Sequence, residues 1–166
     1  MDIYLIRHGI AAERELYQED SQRPLTQKGI ERTTLVAQKL AKLGLKFEQI
    51  LTSPLVRAYQ TAEILQKAGL SQKTTIFEPL SPNGKIQEWL DWLVKEYDPN
   101  AHAQKKLALV GHQPDLGDWV EMLVWGSVRE QITVKKAGVI GLTISDLNSP
   151  LGKSQLFLLT SPKWLI

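Results

Sequence analysis

Cysteine is absent from the 166 residues, which excludes disulfides, thiolate catalysis and any metal site built on sulfur. Long apolar runs are absent too, and none approaches the roughly 20 residues that a membrane span requires. No charge sign dominates: 20 Lys and Arg are interleaved with 18 Asp and Glu, and a formal charge of +2 is too small to argue for a nucleic-acid partner. The pairs Lys105-Lys106 and Lys135-Lys136 accordingly read as solvated flanks of strands. No repeat, low-complexity tract or linker divides the chain, so one domain over residues 1–166 is expected. The first residues lack a basic stretch followed by an apolar one; no signal peptide is expected, and a cytoplasmic protein is.

What is present is an alternation of strand-length apolar runs with stretches of helical period, the pattern of an α/β fold with a largely parallel sheet. Ile3–Ile6 reads as a first strand. Thr26 is placed to cap a helix ending at Gly44, with Ile30, Val36, Leu40 and Leu43 on one face, although Gly29 stands where a capping box would carry Glu or Gln. Gln49–Thr52 is a second strand. Ser53-Pro54 then predicts a helix start, a hydroxyl cap followed by proline at the first helical position, for a helix that buries Ala58, Ala62 and Leu65 and stops at Gly69. Thr74–Phe77 is a third strand, followed by a turn-rich segment to Gly84 and a helix carrying Ile86, Trp89, Leu90, Leu93 and Tyr97 that Pro99 ends.

Leu107–Val110 is a fourth strand, apolar enough to be covered on both faces. A helix with Leu116, Val120 and Leu123 inward ends near Gly126. Val139–Ile144 and Gln155–Leu159 leave no room for a helix between them and are expected as an antiparallel edge. Trp89, Trp92, Trp119 and Trp125 fit helix packing better than a ligand platform. The apolar tail Pro162–Ile166 packs either back onto the domain or against a neighbour, and nothing in the chain states an oligomeric form. The fold expected is a three-layer α/β sandwich: a mostly parallel central sheet, helices on both faces and an antiparallel edge.

Chemistry-bearing residues collect after the strands. Arg7-His8-Gly9 follows the first, Arg57 lies just into the helix after the second, and His112 follows the fourth. In an open α/β sheet, ligands bind beyond the carboxyl ends of the strands, so these residues can converge. Two arginines and two histidines with no obligatory carboxylate form a pocket for a dianion. A metal site would enlist Asp, Glu or Cys beside the histidines, and Arg7, Gly9, Gly111 and Gln113 stand there instead, so no metal and no cofactor is expected. His102 lies in a polar loop and reads as a solvated residue.

Arg7-His8-Gly9, the run Ser53-Pro54-Leu55-Val56-Arg57-Ala58-Tyr59-Gln60-Thr61, Gly111-His112, and Leu25-Thr26 with Gly29 resemble the histidine phosphatase superfamily, with its phosphoglycerate mutase-like fold. Within it the short chain, Arg23-Pro24-Leu25-Thr26 and the segment Pro79–Gly84 look most like SixA-type phosphohistidine phosphatases, in which an open pocket admits a phosphorylated protein side chain. The resemblance implies that neutral His8 is the nucleophile of a covalent phosphohistidine intermediate. It implies that Arg7, Arg57 and His112 bind the phosphoryl oxygens, with Gly9 and Arg23 as further phosphate-site candidates.

Family members that cleave phosphate esters carry a Glu or Asp as general acid after the third strand. The only carboxylate there is Glu78, which reads as a strand-end residue. An imidazole leaving group, with a conjugate acid near about 6.5, needs such an acid far less than an alkoxide does. The expected partner is therefore a phosphohistidine protein of a phosphotransfer or signalling system. A small-molecule phosphomonoesterase of the same superfamily and a non-catalytic phosphoprotein-binding module are the alternatives.

Overall fold

The computed structural model describes residues 1–98 and 105–166, so Pro99 and His102 lie outside the described residues. Among these residues six strands form one sheet: β1 (Asp2–Arg7), β2 (Gln49–Thr52), β3 (Thr74–Ile76), β4 (Lys106–Gly111), β5 (Val139–Thr143) and β6 (Gln155–Thr160), in the order β3-β2-β4-β1-β5-β6. The first four run parallel. β5 is antiparallel to β1, and β6 to β5, so the expected antiparallel edge is present. Four helices cover the sheet: α1 (Gln27–Lys42), α2 (Val56–Lys67), α3 (Ile86–Glu96) and α4 (Asp115–Trp125), and a single turn, α5 (Pro162–Leu165), closes the chain.

The pleat sends alternate side chains into two cores. Tyr4, Ile6, Ile50, Ala108 and Val110 face α1 and α2, where they meet Val36, Leu40, Ala62 and Leu65. Ile3, Leu5, Leu51, Leu107 and Leu109 face α3 and α4, against Trp89, Leu93, Trp119 and Leu123. Trp89 and Trp119 stack with ring centroids 5.9 Å apart, whereas Trp125 lies at the surface under the Arg129 guanidinium. The tail returns to the domain: Leu165 packs on the α1–α2 core while Trp164 stays 79 % exposed. No helix among the described residues is long and apolar enough to cross a membrane.

Two local expectations fail. The buried stripe of α1 is Gly29, Thr33, Val36, Ala37 and Leu40, not one that includes Ile30 and Leu43, which are exposed. The cause is a close approach: Gly29 packs on the Ile10 backbone, where a Cβ would collide, and this rotates the helix so that small residues face inward. The second failure is the start of α2. Leu55, not Ser53, occupies the cap position, and the helix begins at Val56.

Candidate active site

The site is assembled at the carboxyl ends of β1, β2 and β4. His8 follows β1, and its amide donates to the Gly111 carbonyl at the end of β4 (3.1 Å). His8 and His112 therefore sit side by side, ring centroids 5.1 Å apart, and both are buried. Nδ1 of His8 lies 2.7 Å from the Gly9 carbonyl, which accepts from it, and Arg57 Nε donates to Nε2 at 3.3 Å. The two bonds specify one tautomer: hydrogen on Nδ1, a lone pair on Nε2.

Gly9 serves this geometry rather than offering a free donor. Its amide donates to Thr61 Oγ1 (3.0 Å), and a Cβ at this position would overlap Thr33 Oγ1. Arg7 donates from Nη1 to the Val134 carbonyl (2.9 Å), and its buried Nε has no hydrogen-bond partner among the described residues. His112 places Nε2 2.8 Å from Ser53 Oγ, and its Nδ1 is likewise buried without a partner. Ser53 is thus the partner of His112, and its hydroxyl also accepts from the Leu55 amide (3.3 Å) just ahead of α2. Two unpartnered buried polar atoms on neighbouring cationic or imidazole groups are what the oxygens of an anion would satisfy.

One residue in the site was not foreseen. Asp20 lies in the segment between β1 and α1, within a 3-10 turn over Asp20–Gln22, and folds back onto α2. Its Oδ2 accepts from Arg57 Nη2 (2.8 Å), its carbonyl accepts from Arg57 Nη1 (2.7 Å), and its Oδ1 pairs with Arg23 Nη2 (2.7 Å). Arg23 also donates to the Ala12 carbonyl (2.8 Å), so it braces this segment. The expected carboxylate-free cluster is therefore corrected: a carboxylate stands at its edge, paired closely to Arg57 and Arg23 and more loosely to Arg14 (3.7 Å). The Asp20–Arg23 spacing of three was the available sequence signal, but the Asp20–Arg57 contact spans 37 residues and leaves no local trace. Glu78 is exposed at the start of a 3-10 turn over Glu78–Leu80. Among the described residues no three His, Asp or Glu side chains are grouped to hold a metal ion.

Comparison with known proteins agrees with this geometry. The family model "Histidine phosphatase superfamily (branch 1)" matches residues 3–81. The phosphohistidine phosphatase SixA of Escherichia coli is 31% identical over 116 residues, 68% of this chain and 71% of that protein. The chain belongs to the histidine phosphatase superfamily. An uncharacterised protein of Picosynechococcus sp. is 52% identical over 168 residues, covering 100% of this chain and 99% of the relative. The solved structure of the protein histidine phosphatase SixA complexed with tungstate superposes with a TM-score of 0.85 at 25% identity, covering 100% of both chains. The chain is a phosphatase of the SixA type.

In this histidine phosphatase the protonation of the paired imidazoles is set mainly by burial. Burial first, then His112 alongside, then the charges of Arg57 and Arg7, push His8 down to about 3, against the opposing bond to Gly9. Burial first, then Arg57, Arg7 and Arg23, with Asp20 opposing, push His112 down to about 3 as well. The arginines act in the direction the sequence implies, but desolvation is the larger cause.

The consequence for stability has a definite sign. Unfolded histidines bind protons near about 6.5 while the folded ones stay neutral to about 3, so this contribution is complete above about 6.5 and is lost as the pH falls toward 3. The slope is up to about 1.4 kcal/mol per pH unit for each histidine. Urea unfolding at pH 7 and pH 5 checks it: wild type should weaken over this interval, and a His8→Asn/His112→Asn double variant should lose much of the slope. An unchanged slope in the double variant would refute the assignment.

Proposed function

We propose that this protein hydrolyses phosphohistidine on a partner protein through a phosphorylated His8. The observation that carries the reading is the state of Asp20, the only carboxylate among the described residues paired to any of Arg7, His8, Arg57 and His112. Burial raises its pKa, but the hydrogen bonds and charges of Arg57 and then Arg23 outweigh burial and hold it below the usual carboxylate range. A carboxylate kept ionised is a poor general acid. Such a site suits a leaving group that departs without help.

The geometry supports the following route. Phosphoryl oxygens draw the donors of Arg57 from His8, and the freed Nε2 lone pair attacks phosphorus. The Nε2–P bond forms as the substrate's N–P bond breaks. The electron pair returns to the substrate imidazole, which departs neutral when its other ring nitrogen carries a proton. Arg7, Arg57 and His112 Nδ1 hold the charge on the three equatorial oxygens. Water then attacks phosphorus, the Nε2–P bond breaks with its electron pair returning to Nε2, and phosphate leaves with the proton of the water released to solvent.

A positioned acid contributes about 10²- to 10⁴-fold to a step that needs one. The wild-type enzyme should therefore favour a histidine-phosphorylated phosphotransfer domain over a phosphoserine peptide by at least about 100-fold in kcat/KM. Comparable turnover of the alkyl ester would instead support the phosphomonoesterase alternative.

A further inference from the structure

Beside Arg7, a cavity of about 520 Å³ is lined by Arg7, Arg32, Lys135 and Lys136, with Ile10 and Pro162 as apolar wall. No carboxylate lines it among the described residues, and Arg32, Lys135 and Lys136 make no ion pair there. In a chain whose charges nearly cancel, four adjacent cations without a counter-charge are a local exception. The sequence pattern alone makes Lys135-Lys136 a strand flank; the fold turns the pair toward the site.

The turn that carries the lysines is fixed to the catalytic strand. The Ala137 amide donates to the carbonyls of Arg7 and His8 (3.1 Å each), the Gly138 amide to Lys135 (2.7 Å), and the Arg7 amide to Gly138 (3.2 Å). Ala137 adopts φ 58°, a left-handed conformation that residues with a β-carbon rarely take, and it is held there by these bonds. Partial desolvation, then the charges of Arg7, Arg23 and Arg57, hold the Lys136 ammonium below the usual lysine range, so it lies within the field of the phosphate-binding arginines. An anion in the cavity would relieve that repulsion.

We infer that this cavity is a subsite for an acidic side chain flanking the phosphohistidine of a protein substrate, with Lys135, Lys136 and Arg32 as its recognition groups. The inference rests on the phosphohistidine reading and adds to it the chemistry of the flanking residues. Arg7 lines the cavity as well as ending β1 at the catalytic site, so it links the two. Lysine ammonium groups grip a carboxylate as point charges on flexible stems, without demanding the fixed geometry of an arginine fork.

Two histidine-phosphorylated peptides, identical except for Glu or Gln on both sides of the histidine, test it, with phosphoramidate as a substrate that has no flank. The wild type should prefer the Glu peptide by about 10-fold in kcat/KM, with the preference shrinking as salt rises. The double variant Lys135→Ala/Lys136→Ala should lose that preference through KM, with turnover of the Gln peptide and of phosphoramidate unchanged. Equal use of both peptides by the wild type, or an equal loss on all three substrates in the variant, overturns the subsite. Failure of the wild type on phosphoramidate and both peptides is a different result, one that removes the phosphohistidine reading and the subsite with it.

Discussion

Replacement of His8 by alanine is expected to lower kcat for phosphohistidine by at least about 10⁴-fold, a loss of about 5.5 kcal/mol in transition-state stabilisation. The size follows from the route: the proposed covalent bond is made by the His8 Nε2 lone pair, so without it that path disappears rather than slows. Arg57 Nε, released from His8 Nε2, and Arg7 would still grip an anion. Inhibition of substrate binding by inorganic phosphate should therefore persist within about threefold in an isothermal titration, while turnover vanishes. Rapid acid-free quenching with labelled substrate adds a direct signature: an acid-labile, base-stable phosphoenzyme in wild type and none in His8→Ala or in the less disruptive His8→Asn. Turnover that survives in both variants would remove His8 as nucleophile. Absence of turnover in the wild type, with phosphate binding intact, would favour a recognition module.

The contrast between what the chain disclosed and what it did not has a physical basis. β2 was readable to the residue, because four apolar or neutral side chains between turn signals can only be a short covered strand. The end of α4 was equally clear: Gly126 takes the left-handed φ of 75° that a helix terminus demands of it. The convergence of Arg7, His8, Arg57 and His112 was legible because each follows a strand of a largely parallel sheet, and the structure makes β1, β2 and β4 neighbours with carboxyl ends pointing the same way. Roles that depend on distant partners were hidden. Ser53-Pro54 obeys the local rule for a helix start, but the hydroxyl serves His112, 59 residues away, and the helix begins later. Asp20 and Lys136 have ordinary neighbours in sequence and acquire their roles only when the segments on either side of Arg7 fold over the sheet.

The segment that anchors Arg7 depends on a buried carboxylate, and its removal should be the most destabilising single change outside the apolar core. Glu121 on α4 is fully buried. Its Oε1 accepts from the amides of Gln131 and Ile132 (2.6 Å each), and its Oε2 accepts from the amides of Glu130 (2.8 Å) and Arg129. Gln113 completes the clamp, donating to the Ile132 carbonyl (3.1 Å) and accepting from the Val134 amide (3.3 Å). The carbonyl of that same Val134 receives Arg7 Nη1, so the carboxylate organises the loop that aims Arg7, the arginine proposed to bind phosphate.

Burial raises the Glu121 pKa, but the four amide bonds outweigh it and hold the carboxyl below its usual range. Its stabilising contribution is therefore complete above about 4.3, the unfolded value, and is lost as the pH falls below it. Glu121→Ala should cost about 3 kcal/mol, because the Ile132 amide is buried and loses a charged acceptor while the exposed amides recover water. For a domain of this size that corresponds to roughly 6–12 °C in Tm. Glu121→Gln is the sharper test: both oxygens accept, so the amide nitrogen would turn donors toward two backbone donors, and a similar loss is expected despite the conserved shape. Denaturant unfolding reads both variants. A glutamine variant within about 0.5 kcal/mol of wild type would mean that shape, not the paired acceptors, holds the loop. A stability loss without a parallel fall in kcat would separate the loop's fold from its placement of Arg7.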